Sequence, residues 1–236
     1  MRIFVFLLAW VVMAASAQPE KLRVGLHYSA PWAYANEQGE LMGIDYDILR
    51  HIFAQLDVEV QIELYAYERL IQKFRQKELD YISPMAFDLP DAYLTDPYLE
   101  IQDVAVTSIQ TDFTIDDIAD LKGKSIVAYQ KASDVLGPVF ASVLEQDAYM
   151  EMADRERQLD LLKNFKVDVV VGDRKVLEYF SHKNYGKDQL NVHNVFPHTS
   201  YPGVFWEASL AEAFNKELDK MKRSGLLSQF HSQTRP

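Results

Sequence analysis

The chain has 236 residues and contains no cysteine. It can therefore form no disulfide bond, and its fold depends on packing and hydrogen bonds. A chain of this length buries enough surface to be stable without covalent cross-links, even in an oxidising compartment. The length allows either one domain or two lobes. No proline-, serine- or glycine-rich linker divides the sequence, and no internal repeat is visible.

Basic residues are also scarce. The chain has 24 lysines and arginines against 35 aspartates and glutamates, for a formal net charge of −11 at pH 7. Nucleic acids and anionic membrane surfaces attract basic proteins, so neither is expected as a partner. The net charge does not restrict a small ligand, which responds to the local field of its own site.

The sequence lacks the common catalytic and cofactor motifs. It has no H-E-x-x-H, no phosphate-binding P-loop, no G-x-S-x-G and no G-x-G-x-x-G. The six histidines are spread along the chain and form no close ligand pair. We therefore expect no metal and no cofactor, and neither phosphate chemistry nor serine hydrolysis has support.

Only the N-terminus has a long apolar run. Met1 and Arg2 precede IFVFLLAWVVMAA, and Ala15-Ser16-Ala17 fits the small-x-small rule for signal cleavage. The run is too short to favour a membrane-spanning helix. Residues 1–17 are therefore predicted to be a cleaved signal peptide, which places the mature protein in the periplasm. No cysteine follows it, so an N-terminal lipid anchor is not expected.

Residues 22–53 are the most informative stretch of the sequence. Residues 22–26 predict a short apolar strand, and the loop that follows contains Tyr28, Trp32 and Tyr34. A strand that feeds a helix through such a loop places these aromatic rings at the carboxyl edge of a sheet. Open α/β sheets bind their ligands at that edge. The three rings, together with Tyr67, are candidates for an aromatic ligand box.

A turn and a helix complete this stretch. Residues 36–39 end in glycine and predict a tight turn, because glycine adopts a positive φ without steric cost. After Gly43, apolar residues recur at helical spacing. Asp45 or Asp47 stands where a carboxylate can cap the start of this helix.

The succession of strand and helix continues along the chain. Residues 58–64 predict a strand, residues 67–79 a helix and residues 79–83 a third strand, which together predict a parallel sheet. Further on, an apolar strand ends at Gly172-Asp173 and a helix starts at Arg174. The sequence therefore predicts a mixed α/β fold.

These motifs resemble a known family. Pro31-Trp-Ala-Tyr34, the glycine turn and Gly43-Ile-Asp-Tyr-Asp-Ile48 resemble the opening of the bacterial extracellular solute-binding proteins, family 3. Thr95-Asp-Pro-Tyr98, Lys122-Gly-Lys124 and Gly172-Asp173 follow in the order that is typical of that family. The resemblance implies the type II periplasmic binding protein fold, in which two lobes each contain a mainly parallel sheet flanked by helices.

The resemblance also implies a division of the chain. Residues 18–105 and 203–236 would form the first lobe, and residues 106–196 the second. Crossovers near residues 103–108 and 197–203 would form the hinge. A ligand would be held between the lobes.

The family pattern suggests further site residues. Asp173 holds the position whose carboxylate usually pairs with a ligand amine, and Ser133 would cap a helix whose free N–H groups can hold an anion. The arginine that clamps the ligand carboxylate in amino-acid-binding members is missing, because no arginine occurs between Arg75 and Arg155. Arg69 is a candidate substitute. Without the clamp, we expect weak binding of common L-amino acids and a preference for an amine or an aromatic compound.

The function that the resemblance implies is ligand capture without catalysis. The protein would bind a small polar ligand, amino-acid-like, amine or aromatic, for uptake by an ABC permease, and it would act as a monomer. Two alternatives stay open. One is a ligand-sensing module for a membrane receptor. The other is a dehydratase-like enzyme on the same scaffold, for which Glu68 and Asp88 are the candidate acids.

Overall fold

The structure is a computed structural model, and it describes residues 21–232. The signal peptide predicted for residues 1–17 lies outside the described residues. No helix in residues 21–232 has both the length and the apolar character needed to cross a membrane.

Strands and helices alternate through most of the described chain. In chain order, the strands are β1 (Leu22–His27), β2 (Tyr34–Ala35), β3 (Leu41–Met42), β4 (Val60–Tyr65), β5 (Tyr81–Ser83), β6 (Tyr93–Leu94), β7 (Leu99–Ser108), β8 (Ile126–Ala128), β9 (Tyr149–Glu151), β10 (Val169–Asp173), β11 (Leu190–His193), β12 (His198–Tyr201) and β13 (Val204–Phe205). The helices are α1 (Ile44–Gln55), α2 (Tyr67–Arg75), α3 (Ala132–Val135), α4 (Gly137–Val143), α5 (Arg155–Lys163), α6 (Arg174–Tyr185), α7 (Ala208–Ser224) and α8 (Leu226–Ser232), with a short 3₁₀ helix at Ile118–Leu121.

The first lobe is built on a five-stranded sheet in the order β4-β1-β5-β13-β6. Strands β4, β1 and β5 of this sheet are parallel, as the β-α-β-α-β pattern predicts, and Val24 pairs with both Ile62 and Tyr81. Strand β13 joins this sheet in the antiparallel direction from the C-terminal part of the chain. Rings of Phe53, Tyr81 and Phe214 pack against one another beneath it.

The second lobe contains a sheet in the order β11-β7-β10-β8-β9. Strand β10 is parallel to β8, and β8 is parallel to β9. Strand β7 runs antiparallel to β10 and β11. Three consecutive valines of β10, residues 169–171, are fully buried, which explains why this strand is a continuous apolar run.

Strand β7 joins the two lobes. Its first four residues, 99–102, pair only with β12, residues 198–201, in the part of the chain described here. From Asp103 onward, β7 belongs to the sheet of the second lobe. Residues 99–102 and 198–201 therefore form a two-stranded segment ahead of the second-lobe sheet. The crossovers expected from the sequence, near residues 103–108 and 197–203, stay a prediction.

The start of α1 differs from the capping that the sequence suggests. The N-cap residue is Gly43, with φ of 131°, which has no side chain that could cap the helix. Its backbone lies so close to the Trp32 carbonyl that a Cβ atom would meet the oxygen at 2.2 Å. Asp45 is buried inside the lobe instead of capping the helix. Glycine is therefore needed here for both backbone conformation and space.

Candidate ligand-binding cleft

A cleft between the two lobes encloses about 660 Å³, part of which is open to solvent. Both lobes and the strands that join them contribute to its walls. The lining residues from the first lobe are His27, Ser29, Trp32, Asp45, Tyr67, Pro84 and Ala86. The remaining lining residues are Leu99, Ile101, Asp103, Tyr129, Val135, Arg155, Asp173, Val176 and Tyr201. The cleft therefore combines apolar and aromatic surface with a few charged groups, as small-molecule sites do.

Two buried aromatic rings form the wall on the first lobe. Trp32 lies on the loop after β1, and Tyr67 begins α2. The hydroxyl of Tyr67 accepts a hydrogen bond from the Ala86 amide at 3.2 Å, and its ring centroid lies 5.4 Å from that of His27. Burial, assisted by the charge of Arg155, lowers the pKa of His27 to about 3. His27 is therefore neutral at physiological pH and adds no charge to the cleft.

Two carboxyl groups lie on neighbouring strands of the second lobe. Asp103 of β7 and Asp173 of β10 occupy paired positions. Burial, together with the charge of Asp173, raises the pKa of Asp103 to about 7. Burial also raises the pKa of Asp173 to about 6, although a hydrogen bond from the Val176 amide opposes this shift. Both groups therefore take up protons close to neutral pH.

The two oxygens of Asp173 have different environments. Oδ1 accepts a hydrogen bond from the Val176 amide at 2.9 Å and so caps α6. Oδ2 is buried and has no hydrogen-bond partner among residues 21–232. The indole N–H of Trp32 helps to lower the pKa of this carboxyl, but Trp32 Nε1 likewise lacks a partner with hydrogen-bond geometry in the described chain. An unpaired buried carboxylate oxygen marks a position for a donor from a ligand.

A third carboxyl lies at the base of the first lobe. Asp45 is almost fully buried and accepts a hydrogen bond from the Tyr98 hydroxyl at 2.7 Å. Tyr98 in turn contacts the hydroxyls of Ser83 at 2.8 Å and Tyr81 at 2.9 Å. Burial raises the pKa of Asp45 to about 7, although the bonds from Tyr98 and Ser83 oppose the shift. Sequence reasoning did not identify Asp45 as a cleft residue, because its spacing suggested only a helix cap.

Arg155 is the cation of the cleft lining, and the sequence analysis identified neither it nor Asp103 as a site residue. It begins α5 and is half-buried. Its Nη1 donates to the Met152 carbonyl at 3.2 Å, and its guanidinium lies 5.5 Å from the centre of the Tyr129 ring. Burial lowers the pKa of Arg155 to about 10, although Tyr129, Asp103 and Asp173 oppose the shift. The group therefore stays positively charged at neutral pH.

Of the seven residues proposed from the sequence, the structure brings Trp32, Tyr67 and Asp173 into the cleft lining. Tyr28 is 54% exposed and lies outside it. Tyr34 is buried near the junction of the lobes, where its ring centroid is 5.9 Å from that of Tyr179. Neither tyrosine lines the cleft, so the two rings do not form a box within it.

Arg69 and Ser133 also lie outside the lining. Arg69 is on the exposed face of α2, so it is not placed to replace the missing clamp. Ser133 is the second residue of α3, whose N-cap is Lys131. Both the amide and the hydroxyl of Ser133 donate to Glu151, at 3.0 and 2.9 Å. The anion position predicted at this helix start is therefore occupied by a carboxylate of the protein itself.

The acids considered for an enzyme are not in the cleft either. Glu68 is exposed and contacts Gln130 at 3.3 Å and Lys131 at 3.7 Å. Asp88 is exposed on the loop after β5. Within residues 21–232, no three histidine, aspartate or glutamate side chains are grouped so that they could hold a metal ion.

The fold is that of known binding proteins. The crystal structure of the arginine-, lysine-, histidine-binding protein ArtJ from Geobacillus stearothermophilus superposes with a TM-score of 0.75. The match covers 90% of this chain and 94% of that protein at 20% sequence identity. The two-lobed α/β fold expected from the sequence is confirmed.

Two relatives are similar over most of their length. A probable amino-acid ABC transporter-binding protein of Haemophilus influenzae is 24% identical over 210 residues, which cover 85% of this chain and 78% of the relative. The arginine-binding periplasmic protein of Mannheimia haemolytica is 23% identical over 205 residues, which cover 83% and 82%. These relatives are binding proteins and not enzymes, so the dehydratase alternative is not favoured.

The whole described chain matches one protein family. The model of the family described as bacterial extracellular solute-binding proteins, family 3, matches residues 22–233. This range includes both sheets, the connecting strands and every residue of the cleft lining. The resemblance noted in the sequence is therefore confirmed, and the chain belongs to the bacterial extracellular solute-binding proteins, family 3.

Proposed function

We propose that this solute-binding protein captures a small ligand with a cationic amine group and delivers it to an ABC permease. The observation that carries this proposal is the charge of the cleft lining. Asp45, Asp103 and Asp173 contribute three carboxyls, whereas Arg155 contributes one positive charge. An amine that enters the cleft gains a partner in Asp173 Oδ2 and favours the ionised form of the carboxyls.

The aromatic wall suits the remainder of such a ligand. Trp32 and Tyr67 are buried and present ring surface to the same space as the carboxyls. An alkyl chain or a ring packs against these faces, and a cation is attracted to them. The proposed site therefore retains Trp32, Tyr67 and Asp173 from the sequence analysis and adds Asp45, Asp103 and Arg155.

Contacts across the cleft support capture by closure of the lobes. Lys175 of the second lobe donates to the carbonyl of His231 in the first lobe at 2.7 Å, and its Nζ lies 5.4 Å from the centre of the Trp32 ring. We propose that residues 99–102 and 198–201 act as the hinge. Hinge closure around a ligand is the general behaviour of periplasmic binding proteins. A ligand favours the closed form only by binding it more tightly than the open form.

Membership of an extracellular family places the protein outside the cytoplasm. We propose the periplasm as the compartment, with residues 1–17 removed on export. A permease in the inner membrane is the proposed partner, since relatives are named as ABC transporter-binding and periplasmic proteins. The protein is proposed to act as a monomer that exposes both lobes to the permease.

A thermal-shift screen tests the proposed ligand class. The panel contains L-arginine, L-lysine, agmatine, spermidine and phenethylamine, with L-glutamate and succinate as acidic counterparts. A ligand present at 100 times its Kd stabilises the folded state by about 2.7 kcal/mol. We expect stabilisation by cationic compounds, and its loss in Asp173→Asn but not in Arg69→Ala. Stabilisation by succinate and by none of the cations would contradict the proposal.

A further inference from the structure

The cleft has carboxyl groups on both of its walls. Asp45 of α1 lines it from the first lobe, whereas Asp103 and Asp173 line it from paired strands of the second lobe. Within residues 21–232, no three histidine, aspartate or glutamate side chains are grouped so that they could hold a metal ion. Asp45 is therefore not grouped with the other two carboxyls, and the cleft offers two separate positions for positive charge.

Each wall carries one net negative charge when its carboxyls are ionised. On the first lobe, His27 is neutral because burial lowers its pKa to about 3, so Asp45 provides the charge of that wall. On the second lobe, the positive charge of Arg155 offsets one of the two carboxylates. A ligand with a single cation neutralises one wall only. The carboxyl of the other wall then stays protonated or is buried without a counter-charge, which costs free energy.

Both positions retain acceptor capacity for an ammonium group. Asp173 Oδ2 is buried and has no hydrogen-bond partner in the described part of the chain. Asp103 Oδ2 accepts a bond from the Tyr129 hydroxyl at 3.2 Å, and Asp45 Oδ1 accepts one from the Tyr98 hydroxyl at 2.7 Å. A carboxylate has about four lone-pair sites, and a hydroxyl donor brings no positive charge to them. The protein's own donors therefore leave the negative charge of each wall uncompensated.

The remainder of the lining suits a hydrocarbon segment. Trp32 and Tyr67 contribute buried rings to the first-lobe wall. Six further lining residues are aliphatic: Pro84, Ala86, Leu99, Ile101, Val135 and Val176. A chain of methylene groups buries apolar area against such surfaces and adds no polar atom that needs a partner. The lining therefore matches a ligand whose charges lie at its ends and whose centre is apolar.

We propose that the cleft binds a linear aliphatic diamine, with one ammonium group at Asp45 and the other at Asp103 and Asp173. This inference rests on the proposed function and narrows its ligand class from an amine to a short dication. Because the two ends contact different lobes, such a ligand bridges the cleft and favours the closed form. The arginine that is missing between Arg75 and Arg155 is not needed, since a diamine has no carboxylate to clamp.

Two matched ligand pairs test the proposal by calorimetry at pH 8 and physiological ionic strength, where salt screens exposed charges. Putrescine is compared with n-butylamine, and cadaverine with n-pentylamine, because each pair differs only in the second amine. We expect the wild type to bind the better diamine about 10- to 100-fold more tightly than its monoamine, the range for hydrogen bonds to charged groups. Asp45→Asn should bind the two with similar affinity. Asp219→Asn, an exposed change on α7, is the control and should keep the preference.

The outcomes separate this inference from the function on which it rests. Equal affinity of the wild type for both members of each pair would overturn the bridging diamine and leave amine capture intact. A preference that persists in Asp45→Asn would also overturn it, because the second ammonium would then not lie at Asp45. No binding of any of the four compounds would overturn the proposed ligand class itself. Asp103→Asn alters the opposite wall and should likewise remove the preference, so the test stands even if Asp45→Asn does not fold.

Discussion

Asp103 and Asp173 are directly paired across the antiparallel strands β7 and β10, so that two carboxyl groups share one wall of the cleft. Strand β7 also continues into the segment that joins the lobes. The proposed site for a cationic group therefore lies on the same strand that leads to the proposed hinge.

The protonation of this pair predicts how binding depends on pH. The pKa of Asp103 is about 7 and that of Asp173 about 6, so both groups hold protons below these values. Asp45, the third carboxyl of the lining, has a pKa of about 7 and loses its proton over the same range, which acts in the same direction. His27, with a pKa of about 3, and Arg155, with a pKa of about 10, do not titrate between pH 5 and 8. Affinity for agmatine, whose charge is constant over this range, should increase at least about tenfold from pH 5 to pH 8.

Calorimetry across that pH range checks the expectation. Asp173→Asn should bind agmatine more weakly at pH 8 and show a smaller pH dependence. Asp219→Asn, an exposed change on α7, is the control and should behave as the wild type. Affinity that falls as the pH rises would show that the two carboxyls do not receive the cation.

The buried carboxyl of Asp45 predicts a pH-dependent stability difference. Its pKa is raised to about 7 from an ordinary value of 3.8. A group whose pKa is raised on folding stabilises the native state fully below pH 3.8, and this contribution is lost as the pH rises through 7. Asp45→Asn removes this titration. The free energy of unfolding of Asp45→Asn, relative to the wild type, should therefore increase by about 2 kcal/mol between pH 5 and 8.

Urea unfolding at both pH values measures this difference. Asp219→Asn serves again as the control, because an exposed carboxyl should give no comparable change. If Asp45→Asn differs from the wild type by the same amount at pH 5 and pH 8, Asp45 is ionised throughout and the argument from burial fails.

Trp32 predicts an optical signal for binding. Its side chain is only 5% exposed and lines the cleft, whereas Trp206 stacks on Phe74 with ring centroids 4.3 Å apart in the first lobe. Ligand should change the tryptophan fluorescence of the wild type and of Trp206→Phe, but not that of Trp32→Phe. Trp32→Ala should weaken binding by roughly 1–3 kcal/mol, as for other buried aromatic anchors. Unaltered affinity in a folded Trp32→Ala protein would assign this ring to packing alone.

The glycine that precedes α1 predicts a large loss of stability on substitution. At Gly43, φ is 131° and an added Cβ atom would lie 2.2 Å from the Trp32 carbonyl oxygen. Gly43→Ala should cost about 3–5 kcal/mol, because strain and a backbone clash combine. Gly39→Ala is the matched control, since Gly39 also has a positive φ, of 81°, but nothing lies within 4 Å of its Cβ position. The control should cost only about 1–2 kcal/mol, the cost of the backbone conformation itself.

Denaturant unfolding of the two alanine variants makes the comparison. Similar losses for Gly39→Ala and Gly43→Ala would mean that the approach of α1 to the Trp32 loop relaxes without cost. A larger loss at Gly43, accompanied by weaker ligand binding, would show that this contact also holds the cleft tryptophan in position.

Local patterns in the sequence determined most of the elements and the family. The spacing of apolar residues identifies the elements β1, α1 and β10, because the secondary structure of each element depends on residues close together in the sequence. The positive φ of Gly39 was also expected, since a turn depends on a few adjacent residues. Of the two carboxyls suggested for the start of α1, Asp45 or Asp47, Asp45 is held by the buried tyrosine network instead. The capping expected from Ser133 was wrong, because Glu151 engages its hydroxyl.

The composition of the cleft was decided by contacts between distant parts of the chain. Asp103 and Asp173 are 70 positions apart in the sequence and become neighbours because β7 pairs with β10. Arg155, at the start of α5, lines the same cleft. Arg69 and Arg155 look alike in the sequence, as arginines near a helix start. Only the packing of α2 and α5 against their sheets decides that Arg69 faces solvent and that Arg155 lines the cleft. Local spacing specifies secondary structure, but the direction of a side chain into a site between lobes depends on the tertiary arrangement of both lobes.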